Sequence, residues 1–212
     1  MRITRLVLGP LETNCWVVGD DLGGPAVVID PAEDVDRIVA EVGERSVEAV
    51  ILTHGHFDHL GAVTALLAQT DAPLLVHHHD ALTITTAAGT GGAAFGFSAT
   101  SPPADRLLSD GDQVDFGSLQ LTVLHTPGHT PGGICLFAEG DAGEAPQLFS
   151  GDTLFAGSVG RTDFHGGDGR ALSASIVSKL APLPAETVVH PGHGPDTTIG
   201  RERRLNPFFP RA

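Results

Sequence analysis

The stretch Val47-Glu48-Ala49-Val50-Ile51-Leu52-Thr53-His54-Gly55-His56-Phe57-Asp58-His59 decides how the chain is read. Residues 47–52 form an apolar run with β-branched content and predict a buried strand. Immediately past it, three histidines and one aspartate fall within six positions, 54–59. Imidazole nitrogens and carboxylate oxygens are the ligands that zinc and similar borderline divalent ions prefer. His54 and His56 are two apart and share a face of extended backbone, whereas Asp58 and His59 sit further on, which predicts two adjacent ion sites. Gly55 is expected to permit the tight backbone path that turns these side chains inward.

Upstream of this stretch, residues 15–18 and 26–29 read as two strands of a hairpin, divided by a turn-rich spacer at 19–25. Val35, Ile38, Val39 and Val42 then recur at helical spacing. Downstream, a helix is expected around residues 60–67 and a strand at 73–76, so β and α units alternate. Residues 87–105 are rich in Gly and Ala, carry Phe95 and Phe97, and predict a long loop with room for a helical turn, of the kind that forms lids or substrate walls. Strands at 113–116, 119–124, 133–137 and 147–149 make a second β-rich half. A helix at 171–180, a strand at 187–190 and a polar, basic tail complete the chain. Two β-rich halves with helices between them predict two sheets covered by helices.

Three distant residues extend the histidine string. His129 lies in Thr126-Pro127-Gly128-His129, Asp152 in Ser150-Gly151-Asp152-Thr153, and His193 in Pro191-Gly192-His193-Gly194. Each follows a predicted strand, in a loop shaped by Gly or Pro, which is how a rigid scaffold presents chemical groups.

Composition narrows the partner. The 212 residues hold 12 Lys and Arg against 26 Asp and Glu, a formal net charge of −14, which repels nucleic acid and anionic lipid surfaces. No stretch approaches the ~18 uncharged apolar residues of a membrane span, and the N-terminal apolar run is too short for a signal peptide, so a cytoplasmic protein is expected. Cys15 and Cys135 sit inside apolar runs and are expected to be reduced, buried and inert.

With these motifs in place, the sequence resembles the metallo-β-lactamase-fold superfamily over essentially its whole length. The Thr-His-x-His-x-Asp-His string at 53–59, the later His129, the Gly-Asp at 151–152 and the Gly-His at 192–193 match that family in number and order. The resemblance implies a mixed α/β fold, a four-layer αββα sandwich, here as one domain spanning 1–212. It also implies that His54, His56 and His129 bind a first metal, that Asp58, His59 and His193 bind a second, and that Asp152 bridges both. Asp30, at a strand end, matches the acidic residue the family places behind the ligands. The metals implied are two divalent ions, zinc first, with iron or manganese as alternatives.

A bridging aspartate at this point, with Gly160-Arg161-Thr162-Asp163-Phe164, resembles the short glyoxalase II-like branch (hydroxyacylglutathione hydrolase-like), without the C-terminal helical domain that helps hold glutathione. The implied activity is a metal-dependent thioesterase acting on a small-molecule S-acyl conjugate of the S-lactoyl kind. Asp58 and Asp152 would be its catalytic carboxylates. Arg161 is expected either to meet an anionic part of the substrate or to pair with Asp163. Two readings compete: a mononuclear iron persulfide dioxygenase, which the same motifs resemble, and a non-catalytic module in which metal staples the fold. The remaining histidines are expected to play lesser parts. His77, His78 and His79, with Asp80, read as solvated or helix-capping; His125 and His190 as supports behind a ligand; His165 as part of the substrate entrance. The oligomeric state is left open.

Overall fold

A computed structural model of the chain describes residues 1–20, 23–140 and 143–209. Among them are two six-stranded sheets. The first runs in chain order through β1 (Arg2–Leu8), β2 (Thr13–Gly19), β3 (Ala26–Ile29), β4 (Val47–Ile51), β5 (Leu74–His77) and β6 (Arg106–Leu108). Its first two pairings are antiparallel and the other three parallel. The second sheet begins with β7 (Gln113–Phe116), β8 (Leu119–His125), β9 (Ile134–Ala138) and β10 (Gln147–Gly151). After a small hairpin of β11 (Leu154–Phe155) and β12 (Ser158–Val159), strands β13 (Val188–Pro191) and β14 (Thr197–Thr198) extend it beyond β10.

Four α-helices flank the sheets: α1 (Val35–Val42), α2 (Val63–Thr70), α3 (Gly169–Ser175) and α4 (Ile199–Leu205). Helix α1 lays Val35, Ile38, Val39 and Val42 against the first sheet, the stripe that its spacing predicts. Helix α3 starts where the Asp168 side chain accepts from the backbone N–H groups of Arg170 and Ala171, and it runs on into a π-helical turn, Ile176–Leu180.

The period-2 alternation of the strands sorts the core into three layers. On β2, Cys15 and Val17 face α1 and α2, while Trp16 and Val18 face the other sheet. On β9, Ile134 and Leu136 face the first sheet, while Cys135 joins Leu172, Ile176 and Leu180 beneath α3. Strands apolar on both faces have to be covered on both, and the result is the four-layer helix–sheet–sheet–helix arrangement that was expected.

The expected hairpin of residues 15–18 and 26–29 is the β2–β3 pair, Trp16 opposite Ile29. Asp21 and Leu22 of its predicted spacer lie outside the described residues. Two expectations need correction. Residues 2–8 form strand β1, paired along its length with β2. The basic tail contains helix α4, because Ile199 and Glu202 turn inward while Arg201 and Arg204 stay outside. The irregular segment 87–105 is a long loop with a helical turn, a 3₁₀ turn at Gly92–Phe95, in line with expectation.

Candidate metal centre

The loops that follow β4, β8, β10 and β13 meet at one rim of the sandwich and bring together all seven predicted ligands. His54, His56 and His129 form one cluster of donor atoms, Asp58, His59 and His193 a second, and His54, His59 and Asp152 a third that overlaps both; within each, the donors lie within 4.8 Å of one another. Asp152 stands between the groups. One of its oxygens is 3.4 Å from His129 Nε2 and 3.7 Å from His193 Nε2, and the other is 3.4 Å from His59 Nε2. His193 Nε2 lies 3.2 Å from Asp58 Oδ2, and His56 Nδ1 faces His129 Nε2 at 2.8 Å.

Hydrogen bonds behind the rings decide which nitrogen points inward. Asp30, on a strained positive φ of 51° at the end of β3, accepts from Thr53 N and Thr53 Oγ1, both at 2.7 Å, and from His59 Nδ1 at 3.0 Å. Since the Thr53 hydroxyl donates to Asp30, it accepts from His54 Nδ1 at 3.1 Å. His129 Nδ1 donates to the Arg161 carbonyl at 2.7 Å and His193 Nδ1 to the Leu11 carbonyl at 3.1 Å. Four imidazoles therefore present an Nε2 lone pair to the centre. The buried Nε2 atoms of His54 and His59, and Asp152 Oδ1, have no hydrogen-bond partner. Buried polar atoms without partners are costly, and a cation between the two triads would satisfy these. The donor set fits divalent metal ions, with imidazole and carboxylate donors suited to zinc, iron or manganese.

Without an ion, burial and neighbouring charge move the rings in different directions. Burial, reinforced by the neighbouring imidazoles of His59, His129 and His56, pushes the pKa of His54 well below its ordinary value. Burial and the same kind of crowding bring His56 down to about 3. Burial would lower His59 as well, but the carboxylates of Asp58, Asp152 and Asp30 overcome it and lift the ring to about 10. The carboxyl of Asp58 is held well below the usual range: burial alone would raise it, and His59 and His193 more than reverse that.

Glycine is required here by close approach. A Cβ on Gly192 would run into Asp152 Oδ1 and His59 Cε1. Gly55 serves differently from expectation: its φ is not positive, but a Cβ would stand 2.8 Å from Thr83 Cγ2.

Two supports escaped the sequence reading. Asp80 is fully buried and accepts from Gly55 N (2.9 Å), Thr130 Oγ1 (2.7 Å) and Gly132 N (2.7 Å), tying the loop of His54 and His56 to the loop of His129. It is a strut, not the solvated or capping residue expected, and its only sequence signal is its place just past β5. Asn14 donates to the carbonyls of Pro191 and Gly194, both at 2.9 Å, and pins the His193 loop to β2.

Of the other expected residues, His165 lines the cavity over the centre. His190 is corrected: it bonds Gln147 Oε1 at 2.7 Å and stacks on Phe149. His125 is also corrected, since it stacks on His77 at 4.0 Å between ring centroids. Arg161 forms a two-pronged ion pair with Asp163 at 2.7 and 2.8 Å and lies 3.8 Å over the Phe164 ring. Cys15 and Cys135 are buried free thiols, and burial pushes the Cys135 pKa up to about 11.

The cavity holds about 860 Å³ and opens onto His56, Asp58, His129, Asp152 and His193. Its outer wall is largely apolar, with Phe57, Phe95, Phe97 and Phe164 packed ring against ring. The irregular segment thus forms one wall of this cavity.

The model of the Metallo-beta-lactamase superfamily matches residues 8–193. The chain belongs to the metallo-β-lactamase superfamily. It is 33% identical to hydroxyacylglutathione hydrolase GloC of Haemophilus influenzae, over 99% of this chain and 98% of that protein. The crystal structure of BLEG-1, described as a B3 metallo-beta-lactamase, superposes with a TM-score of 0.91 at 39% identity, covering 98% of this chain and 99% of that one. TTHA1623, solved in a di-iron-bound form, gives a TM-score of 0.83 at 40% identity, covering 97% and 100%. No helix among the described residues is long and apolar enough to cross a membrane.

Proposed function

We propose that the chain is a metal-dependent hydrolase and, within that class, a cytoplasmic thioesterase of the glyoxalase II kind acting on small-molecule S-acyl conjugates. The observation that carries the reading is the position of Asp152, which faces His129 of one triad with one oxygen and His59 and His193 of the other with both, beside a wide, largely apolar cavity. His54, His56 and His129 would hold one ion, Asp58, His59 and His193 the other, and Asp152 both. Bound divalent ions supply an acidified water and an electrophile for a carbonyl oxygen. A thioester suits such a site, because its thiolate departs with little general-acid help.

The chain's own residues supply the rest. Asp58, held ionised by His59 and His193 and bonded by Thr13 Oγ1 at 3.2 Å, is placed to orient the attacking water. Phe57, Phe95, Phe97 and Phe164 exclude bulk water and receive the apolar part of the substrate. Among the described residues, Arg161 is the one arginine or lysine lining the cavity, and its charge is already met by Asp163. That favours a carrier with few anionic groups over one bearing several, and leaves Arg161 a role at the cavity rim. A net charge of −14 likewise favours a small molecule over nucleic acid or an anionic membrane as partner.

A second reading, β-lactam hydrolysis, is favoured by the whole-length likeness to BLEG-1. The deciding experiment measures turnover of S-lactoylglutathione, an apolar acyl thioester of an uncharged thiol, and a chromogenic cephalosporin, with metals quantified per chain. Thioester turnover that falls by at least about a thousandfold in Asp152→Ala, with close to two metals in the wild type, supports the proposal. Turnover of the cephalosporin alone transfers it to the second reading. A single iron per chain with no hydrolysis, and oxygen uptake with a persulfide, overturns both.

A further inference from the structure

A second group of histidines lies outside the metal centre and shares no side chain with it. His77 ends β5, His78 and His79 follow, and His125 ends β8 on the other sheet. Their rings converge: His77 stacks on His125 at 4.0 Å and 15°, and His79 lies 5.1 Å from His77 and 5.6 Å from His125, centroid to centroid. One donor nitrogen from each of His77, His79 and His125 falls within 4.8 Å of the others. We propose that His77, His79 and His125 form a separate surface site for a divalent transition metal of the zinc, nickel or copper type.

Three features make the group a ligand set. First, the supporting bonds orient it. His125 Nε2 donates to the Pro131 carbonyl at 3.0 Å, which leaves Nδ1 as the lone-pair nitrogen, the arrangement seen when a backbone carbonyl fixes a ligating imidazole. His78 Nδ1 likewise bonds the Leu108 carbonyl at 3.2 Å and stands beside the triad. His77 Nδ1 accepts only a long bond, 3.3 Å, from the His79 backbone N–H, so loading costs one weak hydrogen bond.

Second, the donors are all imidazoles, with the innermost, His77, held neutral. Burial, then the imidazoles of His125, His78 and His79, bring His77 down to about 3. The nearby carboxylate of Asp110 is engaged by Lys179 at 2.6 Å and by His125 N at 2.9 Å. An all-imidazole set favours borderline transition metals over magnesium or calcium, which demand oxygen. Third, access is open: His77 is buried while His79 is exposed and His125 half-exposed, so solvent reaches the triad from one side.

The test is equilibrium dialysis of the metal-loaded protein against micromolar free Zn²⁺, with zinc counted per chain in the wild type, His79→Ala and His125→Ala. The wild type is expected to hold one equivalent more than either variant, and the variants to bind that equivalent more than about tenfold more weakly. Because the reading is a difference of one equivalent, it stands whether or not the chain hydrolyses thioesters. His79 is exposed, so its variant keeps the fold, checked by circular dichroism. Nitrogen hyperfine structure from bound Cu²⁺, lost in His79→Ala, is a second expected result. Equal zinc content in all three proteins, or an extra equivalent that survives in both variants at unchanged affinity, overturns the site.

Discussion

Two histidine strings leave neighbouring parallel strands of one sheet, 54–59 after β4 and 77–79 after β5, and one ring of each, His59 and His77, ends in the opposite electrostatic state. Around the first, Asp30, Asp58 and Asp152 surround the rings and lift His59 to about 10 despite complete burial. Around the second, imidazoles face imidazoles, and His77 falls to about 3. The residue type is the same in both; the carboxylates brought from β3 and β10 make the difference. A histidine count therefore says little about a metal site until the second elements that supply charge and hydrogen bonds are placed.

The sharpest way to break this comparison is to remove a carboxylate from the first string. Asp30→Ala strips Thr53 N, Thr53 Oγ1 and His59 Nδ1 of one common acceptor. Breaking a buried ion pair from one side costs about 3–5 kcal/mol, and losing an orienting partner weakens metal binding by about 10–100-fold. Denaturant midpoints and metal titration should show both losses. Unchanged metal affinity would mean that His59 is oriented by packing alone.

Asp80 joins the two strings, since it follows His79 in sequence yet bonds Gly55 and Thr130 beside the first. Asp80→Ala leaves the buried N–H groups of Gly55 and Gly132 unpaired, at about 1–3 kcal/mol each, so a net loss near 3 kcal/mol is expected together with weaker metal retention. Asp80→Asn keeps one acceptor oxygen and should lose roughly half as much. Chemical denaturation of the two variants side by side tests the strut: equal stability of both with the wild type would remove it.

How far this was legible depends on whether the deciding contacts are local. The string 53–59 and the residues 129, 152 and 193 could be read because each follows an apolar strand and carries its own Gly or Pro punctuation. The two-faced burial of β2 and β9 was also present in their unbroken apolar runs. Strand β1 was not, because the edge of a sheet alternates with charges and is held by pairing with β2. Helix α4 hid behind its arginines, since its inward face rests on Ile199 and on Glu202, whose carboxylate is satisfied by Thr197, Asn206 and Gly157. Asp80, Asn14 and the meeting of His77 with His125 each depend on partners at least 25 residues away, and no short window of sequence contains them.

The smallest effect is also the most direct measure of the contrast. In protein stripped of metal, a histidine Cε1–H NMR titration should find His59 still protonated at pH 8 and His77 still neutral at pH 5. The signs follow from linkage. The folded pKa of His59 is raised, so its contribution is fully present below the unfolded value near 6.5 and fades as pH rises through about 10. The folded pKa of His77 is depressed, so its contribution is present above about 6.5 and fades as pH falls toward 3. The metal-free fold should therefore lose stability in both directions from neutrality, with the acid limb shallower in His77→Gln. Two rings that titrate together near 6.5 would erase the difference between the strings, and with it the account of why one of them needs aspartates.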